Sequence, residues 1–154
     1  MKKTKIGIVT TWGDCGMGYI AKNWIYTIKK FPELFEYQIF SRAVKKFTPF
    51  RWYGQNVIQG PESMDINHSI FWEWIENFKP DVILFQDQNR YSKSKMVDES
   101  EKLKKIGIKL INYPDWIYRD DLQNYRGLYD INLAHVNRNY RWLQENNLES
   151  PVLI

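Results

Sequence analysis

The chain alternates between short β-branched runs and longer stretches whose apolar residues recur at helical spacing. Ile6, Ile8 and Val9 form the first apolar run, which predicts a strand. A glycine-bearing turn, Gly13 to Gly18, follows it. Ile20, Trp24, Ile25, Ile28 and Phe31 then share one helical stripe, and Phe31-Pro32 ends that helix because a residue before proline disfavours it. Phe35 to Phe40 predicts a second strand. Ile66, Ile70, Phe71, Trp74, Ile75 and Phe78 predict an amphipathic helix from Asp65 to Phe78, with Asp65 as its N-cap and Lys79-Pro80 as its stop. The continuous apolar run Asp81 to Phe85 suits a strand buried on both faces. Ser92 opens a charged helix to Ile106, with Gly107 where a left-handed cap belongs. Ile108 to Ile111 and Asp130 to Ala134 read as further strands, with a short helix after Asp120 and another from Asn137 to about Asn146. Pro151 to Ile154 opens one more strand.

This alternation predicts an α/β fold: a Rossmann-like, doubly wound, mostly parallel sheet with helices on both faces. Residues 1–154 read as a single such domain. Because the sequence stops inside a strand-like run with no polar tail, it reads as a truncated piece. The stretch from Ser41 to Gly60 breaks the rhythm. It carries Arg42, Lys45, Lys46 and Arg51 with no acidic residue, interleaved with Phe47, Phe50, Trp52 and Tyr53. It reads as a long loop with a short strand at Asn56 to Gln59.

Composition narrows the picture only modestly. A hydrophobic content of 44% argues against disorder and for a packed core. A net charge of +4 is too small to point to nucleic acid. With Cys15 as the one cysteine, no internal disulfide can form, which fits a cytoplasmic setting. The start of the chain lacks the apolar run of a signal peptide, and nowhere do ~18 consecutive apolar residues predict a spanning helix. Aromatic residues make up 16% of the chain, enough to furnish a binding surface for flat, hydroxylated ligands as well as a core.

In an open parallel sheet, ligands bind outside the carboxyl ends of the strands, where strand order reverses. That edge should collect Thr11 to Gly18, Ser41-Arg42, Gln86 to Arg90, Tyr113 to Trp116 and His135 to Asn137. Strand, glycine turn and helix place backbone N–H groups and a positive dipole end where an anion could sit. Gly16-Met17-Gly18-Tyr19-Ile20-Ala21 fits G-x-G-x-x-A, a dinucleotide fingerprint. No acidic residue ends the second strand to hold a ribose, whereas Arg42 could meet a 2′-phosphate. Asp120-Asp121 reads as a helix start rather than a metal pair, and no other ligand cluster supports a metal. His68 and His135 read as packing or surface residues. Cys15 lacks an evident base partner for nucleophilic work.

The glycine turn, the phrase Phe78-Lys79-Pro80-Asp81-Val82-Ile83-Leu84-Phe85-Gln86-Asp87 and the end Ser150-Pro151-Val152-Leu153-Ile154 together resemble the amino-terminal half of a GT-B glycosyltransferase. The resemblance is to the large retaining family 4, which includes bacterial lipopolysaccharide and mannosyl transferases, and it covers essentially the whole chain. It implies a two-domain enzyme in which this half binds a glycan or lipid-linked acceptor. A further carboxy-terminal half would hold most of the sugar-nucleotide site, so this chain alone should be inactive or nearly so. No tightly bound cofactor is implied beyond the nucleotide-sugar donor. By the same resemblance, Gly16, Met17 and Gly18 match the loop whose backbone approaches the donor diphosphate. Asp87 and Asp115 fall in turns where many relatives carry a histidine near the reacting sugar, which makes these two the catalytic candidates. Asp14 and Asn89 would add polar contacts to the acceptor. Arg42, Lys45, Lys46, Arg51 and Trp52 would form a surface loop that touches an anionic acceptor or rests peripherally on a membrane. Two other classes stay open: a nonenzymatic α/β binding or interaction module, and an NADP-binding oxidoreductase fragment.

Overall fold

The computed structural model describes residues 2–42, 50–62, 66, 68–86, 93–114, 127–134, 141, 143–145, 148 and 151–153. The strands are β1 (Thr4–Thr11), β2 (Phe35–Arg42), β3 (Val57–Gln59), β4 (Val82–Gln86), β5 (Lys109–Tyr113), β6 (Ile131–Ala134) and β7 (Pro151–Leu153). The helices are α1 (Gly16–Ile28), α2 (Ser69–Phe78) and α3 (Lys93–Lys105). The strands form one all-parallel sheet in the order β3-β2-β1-β4-β5-β6-β7, the α/β, Rossmann-like arrangement the alternation predicts. Chain order therefore runs outward from β1 on one side and outward from β4 on the other. The chain divides into two compact units, Met1–Ile83 and Leu84–Ile154.

In the first unit, both faces of the sheet are covered, and the register explains by what. Ile8 lies beside Ile39, and Ile39 beside Val57, so these side chains share one face. On that face Ile8 and Ile39 pack with Ala21 and Ile25 of α1, with Ile6, Trp24, Ile28 and Tyr37 around them. Val9 and Phe40 point the other way, and Phe40 packs onto α2. Phe40 meets Phe71 at 5.2 Å between ring centroids and Trp74 at 5.4 Å. The indole N–H of Trp74 donates to Gln38 Oε1 at 2.9 Å. Gly7 of β1 makes room for this ring: a Cβ there would sit 2.8 Å from Trp74 Cη2.

The helix ends depart from the sequence expectation in instructive ways. α1 begins at Gly16, so half of the expected turn is already helix. It ends at Ile28, where the chain tightens into three-residue turns, Lys30 N–H to Thr27 O and Phe31 N–H to Ile28 O. Phe31 leaves the apolar stripe and is exposed. α2 starts at Ser69 with His68 at the N-cap, and the expected cap Asp65 lies outside the described residues. Lys79, before Pro80, closes α2 in the left-handed conformation at φ 53°.

Asp81 sits at the amino edge of the sheet and acts as a clip. Its backbone N–H donates to Lys5 O at 2.9 Å, and its carboxylate accepts from Lys5 N–H at 2.8 Å. That backbone bond, followed by the Lys2 ammonium at 3.3 Å, holds the carboxyl below its ordinary range against the opposing effect of partial burial.

The second unit repeats the device. Asp130, just before β6, donates its N–H to Leu110 O at 2.8 Å and accepts from Leu110 N–H at 2.7 Å. α3 ends as expected: Gly107 takes φ 86°, Gly107 N–H bonds Lys104 O, and Ile108 N–H bonds Leu103 O, a Schellman cap. Asn112 and Asn132 are paired across β5 and β6 and buried, and Asn112 Nδ2 donates a hydrogen bond to Asn132 Oδ1 at 3.1 Å. The predicted helices after Asp120 and from Asn137 fall largely outside the described residues.

Candidate functional site

The site builds outward from the end of β1. Trp12 to Cys15 leave the strand and turn into α1, and Gly18 fixes how closely they do so. A Cβ on Gly18 would collide with the Gly13 carbonyl oxygen and lie 3.1 Å from Gly13 N. Only a glycine lets the turn lie flat on the first turn of the helix. Gly16, by contrast, faces open space and has no left-handed backbone, so neither sterics nor conformation demands a glycine there. The G-x-G-x-x-A match is thus displaced into the helix. Gly16 and Met17 are its first two residues, Gly18 supplies the close approach, and Ala21 packs fully buried on the sheet.

Two N–H groups of the turn are already used. Asp14 N–H donates to Phe50 O at 2.9 Å, and Cys15 N–H to Gly13 O at 2.8 Å. The first intrahelical bond is Tyr19 N–H to Cys15 O. The N–H groups of Gly16, Met17 and Gly18 therefore stand ahead of the helical ladder. Cys15, at the N-cap, provides no side-chain cap, and no acidic residue occupies the first turn. Its thiol lies 3.9 Å from Thr11 O. The positive end of α1 is left open, which is the local chemistry of an anion or a polarised oxygen site.

Asp14 is exposed at the rim. Its Oδ1 accepts a hydrogen bond from Tyr19 OH at 2.8 Å. That bond, with the carboxylate charge behind it, raises the Tyr19 phenol above its ordinary range. Asp14 is thereby oriented with its second oxygen available to a hydroxyl. Beneath the rim, the Thr11 and Ser41 hydroxyls are buried at the carboxyl ends of β1 and β2 without a hydrogen-bond partner among the described residues.

The loop residues behave differently from the surface loop that the sequence suggests. Arg42 is the last residue of β2 and is fully buried, so its guanidinium is not displayed at a surface, for a membrane or for a 2′-phosphate. The cause is register: Arg42 pairs beside Thr11 within the sheet. Arg51 and Trp52 are half-buried and tied back to the turn. Gly13 and Arg51 form an antiparallel bridge, and Trp52 N–H donates to Trp12 O at 3.2 Å. Arg51 Nη2 donates to Gly60 O at 3.1 Å, and Gln59 Nε2 to Trp52 O at 2.9 Å. Phe50 and Tyr53 flank this fastened segment and are well exposed. Lys45, Lys46, Asp87, Asn89, Asp115, Asp120, Asp121 and His135 lie outside the described residues.

The structure thus brings Asp14, Gly16, Met17, Gly18, Arg51 and Trp52 around one turn. It adds residues that periodicity did not single out. Trp52 stands edge-on to Trp12 at 5.1 Å and to Tyr19 at 5.3 Å, and the Lys22 ammonium lies 3.4 Å over the Trp52 ring. Beside this cluster, α1 and the segment Tyr53–Val57 enclose an open groove of about 790 Å³ with Tyr37 and Ile39 in its floor. The available sequence signal was the spacing Lys22, Tyr26, Lys29, which places all three on one side of a helix. Among the described residues, no cluster of three or more His, Cys, Asp or Glu could hold a metal, and no helix is long and apolar enough to cross a membrane. Comparison with family models and with curated proteins finds no match for the chain.

Proposed function

We propose that the chain is the acceptor-binding, amino-terminal half of a sugar-nucleotide-dependent glycosyltransferase. One observation carries the reading: the Gly13–Gly18 turn leaves the uncapped N–H groups of α1 open at the carboxyl end of β1 in an all-parallel sheet. Such a site stabilises a phosphate leaving group, and the oriented carboxylate of Asp14 can hold an acceptor hydroxyl nearby. In this proposal Asp87 and Asp115 face the reacting sugar, Asn89 contacts the acceptor, and a donor-binding half completes the enzyme. Exposed Phe50 and Tyr53, next to the basic stretch with Lys45 and Lys46, support peripheral contact with a cytoplasmic membrane surface.

The test uses the protein translated from its complete reading frame. Nucleoside diphosphate release is measured from UDP-, GDP- and TDP-sugars, with and without extracted bacterial glycolipid and oligosaccharide acceptors. The expected outcome is acceptor-dependent release that Asp87→Asn and Asp115→Asn abolish without loss of folding. A folded protein that releases nothing from any donor, or that binds NADPH tightly instead, would end the transferase reading.

A further inference from the structure

The groove beside α1 has a chemistry of its own. Among the described residues, its lining includes two lysines, Lys22 and Lys29, and no carboxylate. Lys22, Tyr26 and Lys29 stand at i, i+4 and i+7, so they line one side of α1, with the lysines about 10 Å apart along its axis. Facing them, Gly54 to Val57 forms a turn closed by Val57 N–H to Gly54 O at 3.1 Å, and Ile39 N–H donates to Asn56 O at 2.7 Å, so the far wall is fixed to β2. The side-chain amides of Asn23, Gln55 and Asn56 are exposed and have no hydrogen-bond partner among the described residues. Tyr53 on the rim and Tyr26 on the helix are both largely exposed, and Tyr37 lies in the floor with Lys29 at 5.9 Å from its ring.

We infer that this groove binds an acidic saccharide, a short oligosaccharide bearing carboxylate groups. Each part of the lining answers one part of such a ligand. Aromatic rings offer flat apolar faces to the C–H face of a sugar ring. Free amides donate to and accept from its hydroxyls. The two lysines meet its negative groups, and the absence of a carboxylate in the lining removes the repulsion that would otherwise oppose them. The lysine spacing exceeds what one small ring spans, which favours an oligomer over a monosaccharide. A nucleotide would use rings and charge but would leave much of the amide row unanswered. The inference needs no transfer chemistry and stands or falls apart from the transferase reading.

The experiment is titration calorimetry of the intact chain at fixed ionic strength with trigalacturonate, maltotriose, uridine monophosphate and inorganic phosphate. Trigalacturonate is expected to bind about tenfold or more tightly than maltotriose, a discrimination set by the two lysines. Lys29→Ala and Tyr53→Ala should each weaken it by about fivefold, with unchanged melting temperature, since both side chains are exposed. Lys29→Arg should retain binding, and Lys109→Ala, in the other unit, should leave it unchanged. The inference is overturned if the neutral trisaccharide binds equally well, if uridine monophosphate or phosphate binds more tightly than trigalacturonate, if the groove variants have no effect, or if no saccharide binds at millimolar concentration.

Discussion

Substituting Gly18 by alanine tests whether the turn is held against α1 as tightly as the geometry requires. In an ordinary helix interior, glycine to alanine stabilises by about 1 kcal/mol. Here the new Cβ would occupy the position of the Gly13 carbonyl oxygen, a backbone atom with no rotamer to escape into. The turn must lift, which strains or breaks Asp14 N–H to Phe50 O and Trp52 N–H to Trp12 O. Overpacking costs about 1–3 kcal/mol, and each lost backbone bond about 1 kcal/mol. The steric cost wins, and Gly18→Ala should lose roughly 2 kcal/mol net. For a chain of this size that is a fall in melting temperature of roughly 4–8 °C. Gly16→Ala is the internal control. With no neighbour to meet its Cβ and no left-handed backbone, it should gain about 0.4–1 kcal/mol. Urea and thermal melts of the two single variants read the difference directly. If Gly18→Ala melts with Gly16→Ala at or above the parent, the close approach does not constrain the turn, and the account of the open N-terminus loses its basis.

Asp81→Asn should destabilise the protein at neutral pH. Because the folded carboxyl titrates lower than an unfolded one, the contribution is fully present above about pH 4 and is lost as pH falls through the lowered value. Melts of parent and variant should therefore converge at low pH, and a constant gap down to the acid limit would contradict the clip. Gly7→Ala should cost about 1–3 kcal/mol because its Cβ would press on Trp74, which the Gln38 bond holds in place. A double-mutant cycle with Trp74→Leu should recover part of that loss, whereas strict additivity would mean the ring is not the obstacle. Asp14→Asn should shift the ultraviolet titration of one tyrosine towards its ordinary range, by weakening the hydrogen bond that Tyr19 OH donates and removing the charge behind it. An unchanged profile would mean the pair is not formed. Thr11→Val should be neutral or stabilising in urea, since its buried hydroxyl has no partner among the described residues to lose. A loss above about 1 kcal/mol would reveal one.

The sheet was readable because parallel strands buried on both faces leave near-continuous apolar runs, as in Val82 to Phe85. Gly107 was readable for a local reason as well: a left-handed cap selects its residue with little help from the rest of the chain. The site was harder to read because it depends on register and on long-range approach. Nothing local in Ser41-Arg42 says that β2 runs on to Arg42, since the pairing with Thr10 and Thr11 decides it. Nothing local in Arg51-Trp52 says that this stretch returns to lie against Gly13. A basic, aromatic stretch looks solvated in sequence and becomes a wall only when Trp12, Tyr19 and Lys22 arrive beside it.

Asp81, within the phrase Phe78 to Asp87, serves the scaffold. Asp81 lies at the amino edge of its strand, where its hydrogen bonds with Lys5 satisfy both backbone groups of that residue. Asp130 makes the same bonds to Leu110 in the other unit. A strand start preceded by an aspartate is therefore a register device in this fold, and its polarity is internally matched. The carboxyl ends of β1 and β2 show the opposite condition. There the Thr11 and Ser41 hydroxyls are buried without partners among the described residues, and the helix that follows is uncapped. A buried polar group left unmatched costs about 1–3 kcal/mol, and a fold whose purpose were stability alone could remove that cost with valine or alanine. Keeping that cost at the carboxyl ends of β1 and β2, while the aspartates at two strand starts are paired, suits an outside hydrogen-bonding partner where the glycine turn opens.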